Sequence, residues 1–303
     1  MDRHAAGRSN MRLRGMVSAV LAFLASLFLS LLVLLLTLQT TLLSPAFMKK
    51  QVDNSRYIPH IIEDMESVFV SYGMSSNFDE AFFTSVLDAT AVKSDVDREI
   101  EKLYDPDAPG ADTEAFEAAL LTKLQENVEA RGVEVTQDVR EALVYLASMC
   151  ADSYQEGVQL PLASYASGVL AALQMPVLIG ILVLAALSVF VLGYLYRLRR
   201  RKSQSCRFAI YALSGAVLTV TIPSLFVWFS GRIDRIGITG KALYYFITTY
   251  IRGVLSAALL FAAVLAAAVV VLALLYRRLR RREARSSGPP VEDVRQALGY
   301  PQN

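Results

Sequence analysis

The sequence predicts an all-α, polytopic membrane protein with four transmembrane helices and a helical extracytoplasmic domain inserted between the first and second. Three observations predict it. Residues 17–38, 176–196, 208–230 and 254–276 contain no Asp, Glu, Lys, Arg or His; an acidic block lies between the first two runs; and dense arginine clusters flank the runs on one side. At about 1.5 Å per residue, the first run alone spans roughly 33 Å as a helix, enough for a hydrocarbon core of about 30 Å. An apolar fraction of 54% and a mean hydropathy of +0.40 agree, being above the 45–50% usual for soluble domains.

The formal net charge of +2 conceals two opposed regions. Residues 45–175 hold 23 Asp or Glu against 9 Lys or Arg, a balance of −14 that leaves +16 for the rest of the chain. Lys and Arg close to a span are retained in the cytoplasm, whereas long acidic segments translocate regardless of charge. Both termini are therefore expected to be cytoplasmic, in a plasma (inner) membrane protein.

In chain order, residues 1–15 form a basic cytoplasmic start that includes Arg12 and Arg14, and 16–43 the first span. The 22 uncharged residues from 17 to 38 exceed the 7–15 of a signal-peptide core, and 37–45 offer no small-x-small cleavage site, so a retained signal anchor is expected. Residues 44–160 form the acidic extracytoplasmic domain. Ile58, Ile61, Ile62, Met65, Phe69 and Tyr72 recur at three- and four-residue steps to make one helix face, with Gly73 as its stop. A short helix carries Phe82, Phe83, Val86 and Leu87. Ser94 is positioned to cap a third, with Val96, Ile100, Leu103 and Tyr104 along it. After the Pro- and Gly-rich break at 105–111, a fourth helix starts near Asp112 or Thr113, presents Phe116, Leu120, Leu124 and Val128, and ends before Gly132. Thr136 caps a fifth with Val139, Leu143, Leu146 and Cys150 inward and Asp138, Arg140 and Glu141 outward. Five amphipathic helices over about 110 residues suffice for a modest bundle core.

Residues 161–175 are an interfacial or juxtamembrane segment, a helix limited by Pro161 and Pro176 or an upward extension of the second span at 176–196. A basic cytoplasmic loop (197–207) with Arg197, Arg199, Arg200, Arg201, Lys202 and Arg207 leads to the third span, 208–230. The outer loop, 231–253, carries Tyr244, Tyr245, Phe246 and Tyr250, a set suited to the headgroup boundary, or else it lengthens the fourth span at 254–276. Its cations Arg232, Arg235, Lys241 and Arg252 face only Asp234 within the loop. The basic tail, 277–303, carries Arg277, Arg278, Arg280, Arg281 and Arg282, then a linker at 286–290 and a short stripe of Val291, Val294 and Leu298, either a frayed helix or a docking peptide.

Several function classes are disfavoured. His4 and His60, the only histidines, fall on opposite sides of the membrane, so no His-rich metal site or Ser-His-Asp triad assembles in one chain. Cys150 and Cys206 are likewise separated and cannot pair. The absence of an Asn-x-Ser/Thr sequon fits a bacterial envelope. Residues 105–110 begin like a calcium loop, but Pro109 and Phe116 stand where an oxygen donor and a bidentate Glu are needed. Within the spans there is no ionisable group to mark a proton or ion pathway. Small residues do recur, Ala258, Ala262 and Ala266 on the fourth span and Gly215 on the third, a spacing that lets helices approach closely. The arginine clusters are expected to contact anionic lipid headgroups rather than nucleic acid. No cofactor is expected.

In layout, four spans with a large exported domain after the first, the chain resembles the permease-like subunits of ABC systems of the cell-division and macrolide-export type. That resemblance covers the arrangement of segments, not their residues, and implies a separate cytoplasmic ATPase as partner. External domains of that family commonly mix strands with helices, whereas this one reads as helical, and its 197–207 loop is short. Set beside it is the reading taken from the residues themselves: a non-enzymatic envelope protein that presents its acidic domain to another envelope protein.

Overall fold

A computed structural model describes residues 2–160, 163–198, 202–238 and 240–286, with side chains left out at 2–15, 75, 163–167, 198, 202–205, 279 and 282–286. Ten α-helices occur among them: α1 (Asp2–Thr40), α2 (Pro45–Asn54), α3 (Tyr57–Gly73), α4 (Glu80–Val86), α5 (Ala89–Tyr104), α6 (Thr113–Ala130), α7 (Gln137–Val158), α8 (Ala163–Leu198), α9 (Lys202–Phe229) and α10 (Lys241–Ser286). Two 3-10 turns, Met74–Ser76 and Ile233–Arg235, complete the elements, and no strand is present among the described residues.

The chain divides into two compact units. One comprises residues 1–36, 179–226 and 258–303. Here α1 packs through Ala25 against Val191 and Leu195 of α8 and Ala212 of α9. Leu29 of α1, with Leu213 and Ala216 of α9, forms a second cluster, joined by Leu265, Val269 and Leu272 of α10. Small residues set the distance: a Cβ on Gly215 would stand 2.5 Å from Ser26 Oγ, so α9 meets α1 at a point where only glycine fits unless Ser26 turns away. Large apolar side chains face outward instead, Phe23 at 69% exposure, Phe190 at 70% and Leu260 at 65%. In water such a surface would aggregate; in acyl chains it is the expected one. The hydroxyls are internally satisfied, Ser30 donating to Ser26 O, Ser188 to Leu184 O and Ser224 to Val220 O at 2.7–2.8 Å. These three donors are thereby not left unmet in lipid.

The other unit comprises residues 37–178 and 227–257. Its core is a bundle in which α7 packs on α3 and α6 and α5 lies between α2 and α3. Phe69, Phe83, Val96, Ile100, Leu120, Leu124 and Cys150 are fully buried, each large one worth about 1.5–3 kcal/mol of transfer energy. Phe69 meets Phe83 edge-on and Phe116 at a tilt, and Phe116 lies flat on Tyr154 at 3.9 Å. The predicted stripes on α3, α6 and α7 face the core, buried except at Ile62, Tyr72, Phe116 and Val139, which are half-buried.

Four local features differ from expectation. An unpredicted helix, α2, begins where Ser44 Oγ accepts the Phe47 N–H at 3.3 Å and Pro45 supplies a preset first-turn φ. Helix α5 starts at Ala89, not near Ser94, because the Asp88 carboxylate accepts from Thr90 and Ala91. Gly73 does not stop α3 by a left-handed turn. Its φ is −75°, the left-handed residue is Asn77, and glycine is required at 73 because a Cβ would lie 2.7 Å from Phe83 Cζ. Finally, α8 runs unbroken from Ala163 through Pro176, and α10 runs unbroken from Lys241, so among the described residues neither ambiguous segment is a separate helix. A single proline removes one N–H, a cost of about 3 kcal/mol that a long helix packed on its neighbours absorbs.

Candidate functional site

The arginines assigned to lipid headgroups are described in part. Arg197 near the end of α8 and Arg277, Arg278, Arg280 and Arg281 toward the end of α10 are exposed, and among the described residues no carboxylate pairs with them. Arg12, Arg14, Lys202 and Arg282 lie in helices whose side chains fall outside the description there; Arg199, Arg200 and Arg201 lie outside the described residues, as does the stripe Val291, Val294 and Leu298. On the small-residue positions, Ala262 is buried, Ala258 and Ala266 half-buried, and Gly215 makes the close approach described above.

The aromatic set Tyr244, Tyr245, Phe246 and Tyr250 makes protein contacts, although Tyr245 stays 44% exposed. Phe246 packs on Tyr57 and Tyr250, Tyr250 meets Phe47 edge-on at 5.5 Å, and Tyr245 stacks on His60 at 5.2 Å. Tyr244 Oη donates to Asp234 O. This seam seats the start of α10 against α2 and α3. Phe246 and Tyr250 stand four apart, as helix neighbours must, and with buried Ala242 that spacing was the available signal that one face of this segment is packed. Two of the loop's four cations form ion pairs: Lys241 Nζ lies 3.0 Å from Glu63 Oε2, and Arg252 2.6 Å from Asp234 Oδ1. The Lys241 hydrogen bond and charge hold the Glu63 carboxyl below its usual range.

Two carboxylates of the acidic block are buried, Asp95 and Glu99 on α5. Tyr154 Oη donates to Asp95 Oδ2 at 2.6 Å, Arg98 pairs with Oδ1 at 3.1 Å, and the Ala111 N–H donates to Glu99 Oε1 at 2.8 Å. Burial first, then the Asp95 hydrogen bond, pushes the Tyr154 phenol far above its ordinary range. These carboxylates tie α5 to α7 and to the loop before α6. In the loop that begins like a calcium site, Asp105 Oδ1 accepts the Asp107 N–H at 3.2 Å. Among the described residues, no group of three or more His, Cys, Asp or Glu is placed to hold a metal.

Cys150 is buried and unpaired, its thiol pushed up to about 12 by burial. Tyr104, whose hydroxyl donates to Leu42 O at 2.9 Å, is also raised to about 12 by burial.

A groove of about 410 Å³ lies between α3, α7 and the start of α10, smaller than the concavity of about 730 Å³ lined by Arg140, Val144 and Tyr145. Met65 and Leu243 are among its apolar lining, Val68 stands 37% exposed at its edge, Tyr72 and Ser153 share a 3.2 Å hydrogen bond, and Asp64 and Glu156 stand exposed on the rim. Gly157 makes the space, since a Cβ there would reach 2.7 Å from Met65 Sδ. Sequence spacing could not find it, because the groove combines α3 and α7 residues some 90 positions apart.

All-helical architecture with four helices long and apolar enough to cross a bilayer defines a multi-pass membrane protein. Comparison of the chain with protein-family models, with curated proteins and with solved structures finds no match.

Proposed function

We propose that this protein is a non-enzymatic component of the cell envelope, held in the plasma (inner) membrane with both termini cytoplasmic, whose acidic helical domain engages another envelope protein on the extracytoplasmic side. The observation that carries the reading is the state of the acidic block. Of its 23 carboxylates, only Asp53, Glu63, Asp95 and Glu101 take part in a salt bridge among the described residues. A surface of that charge is poorly self-compensated and suited to a cationic counterpart. Support for the orientation comes from Lys241 and Arg252, two of the four loop cations that ran against it, which are matched by Glu63 and Asp234. Among the described residues, Arg197, Arg277, Arg278, Arg280 and Arg281 enter no salt bridge.

The test is photocrosslinking from intact cells at Val68, Glu114, Glu134 and Tyr145, exposed positions on different faces of the acidic domain. Discrete adducts with an envelope protein are expected. Silence at every position would refute the partner reading, and protection of the domain from protease added to whole cells would refute the orientation.

One observation favours the permease-like alternative. Helix α10 is a single element of 46 residues without an internal proline, stiff enough to carry displacement along its length of about 69 Å. That reading requires a cytoplasmic ATPase to co-purify in mild detergent, and purification without one counts against it.

A further inference from the structure

We infer that the groove between α3, α7 and the start of α10 is the docking site for a basic amphipathic helix of the partner protein. The inference rests on the proposed partner reading and gives that partner's chemistry. The groove measures about 410 Å³, room for side chains projecting from one face of a docked helix rather than for the helix itself. Its walls are two helices and its lining includes Met65 and Leu243, with the exposed Val68 at its edge. Such a trough accepts apolar side chains that recur along one helix face.

The rim decides the sign of the occupant's charge. Asp64 and Glu156 are exposed and enter no salt bridge among the described residues, and no Lys or Arg lines the groove. The neighbouring Glu63 differs, its charge being met by Lys241. An anionic or purely apolar segment would leave both rim carboxylates opposed or desolvated, whereas lysines flanking an apolar face meet them. The surface around Val144 and Tyr145 on α7 offers a contrast. It is apolar and exposed, but Arg140 and Glu141 balance each other beside it, so it selects no partner charge.

The experiment uses the full chain in zwitterionic nanodiscs and a fluorescein-labelled 18-residue leucine–lysine peptide of helical periodicity, with empty discs subtracted. Asp64→Lys and Glu156→Lys are each expected to weaken binding about tenfold, since reversal removes one exposed attraction and adds one repulsion. Glu114→Lys and Glu134→Lys, equal in charge and remote in sequence from the groove, are expected to change it less than twofold. A peptide with glutamate in place of lysine is expected not to bind. Equal losses at all four sites would mean attraction to bulk acidity and overturn the groove; retained affinity in both rim variants would also overturn it. Unchanged Cys150 labelling in each variant verifies that the bundle is intact. In the cell experiment, adducts at Glu114, Glu134 or Tyr145 with none at Val68 would overturn the groove while leaving the partner reading in place.

Discussion

Replacing Asp95 with Asn should loosen the acidic bundle by an amount that the structure lets one calculate. Asp95 is 8% exposed and accepts a 2.6 Å hydrogen bond from the fully buried Tyr154. A buried bond to a charged acceptor contributes about 1.5–3 kcal/mol, and Asn restores part of it because its carbonyl still accepts. Asp95→Asn should therefore cost about 1–2 kcal/mol, and Asp95→Ala about 2–3 kcal/mol, because it leaves the Tyr154 hydroxyl buried without a partner. Cys150 supplies the assay, being free, fully buried and one helical turn before Tyr154 on α7. With Cys206→Ser in place, a thiol reagent reaches Cys150 only when the bundle opens, so the labelling rate under rapid reclosing reports the opening free energy. A loss of about 2 kcal/mol raises that rate roughly 30-fold. Tyr154→Phe should raise it about tenfold, and the double variant Asp95→Ala/Tyr154→Phe should fall short of the summed single effects by about 1 kcal/mol or more. Strict additivity, or a labelling rate within twofold of the parent for Asp95→Ala, would refute the claim that this bond holds α5 to α7.

Glycine substitutions should separate rigid from yielding neighbours. Gly73→Ala forces a methyl onto the Phe83 ring, whose edges are fixed by Phe69 and Phe78, and should cost about 1–3 kcal/mol in the same assay. Gly157→Ala meets only the flexible Met65 side chain and should cost less, but it should narrow the groove and weaken peptide binding. On the acid side, the carboxyls of Glu63 and Glu101 are lowered by their hydrogen bonds to Lys241 and Lys49. A lowered folded-state value means that their contribution is present above the ordinary value of 4.5 and is lost as pH falls through the lowered one. Being pairs on the solvated surface, with Glu63 and Glu101 more than half exposed, they should also weaken with salt. Cys150 labelling, corrected for the reagent's own pH response, should therefore rise below pH 4.5 in the parent and flatten in Glu63→Gln/Glu101→Gln.

Much of the layout was legible in the residues alone. Runs such as 17–38 and 208–230 announce spans because hydrocarbon tolerates no unpaired charge, and the stripe Phe116, Leu120, Leu124, Val128 announces a packed helix face because its four-residue spacing has no other use. Helix starts at Asp112 and Thr136 were readable for the same local reason, each side chain accepting an N–H of the turn it opens. Helix α2 was missed although Ser44-Pro45 signals it, because ten residues with only Met48, Gln51 and Val52 buried make a weak periodicity. The sequence by itself determined which segments suit lipid, which carry negative charge and where most helices lie, since solvation and hydrogen bonding within a turn are local. Only the tertiary structure decided that Tyr245, Phe246 and Tyr250 seat α10 on α2 and α3, that Tyr154 closes on Asp95, and that α3 and α7 leave a groove with an unpaired acidic rim. Those facts join residues tens to hundreds of positions apart, and which side chains come together at such separations is set by how whole helix faces fit, a property that no short stretch of chain contains.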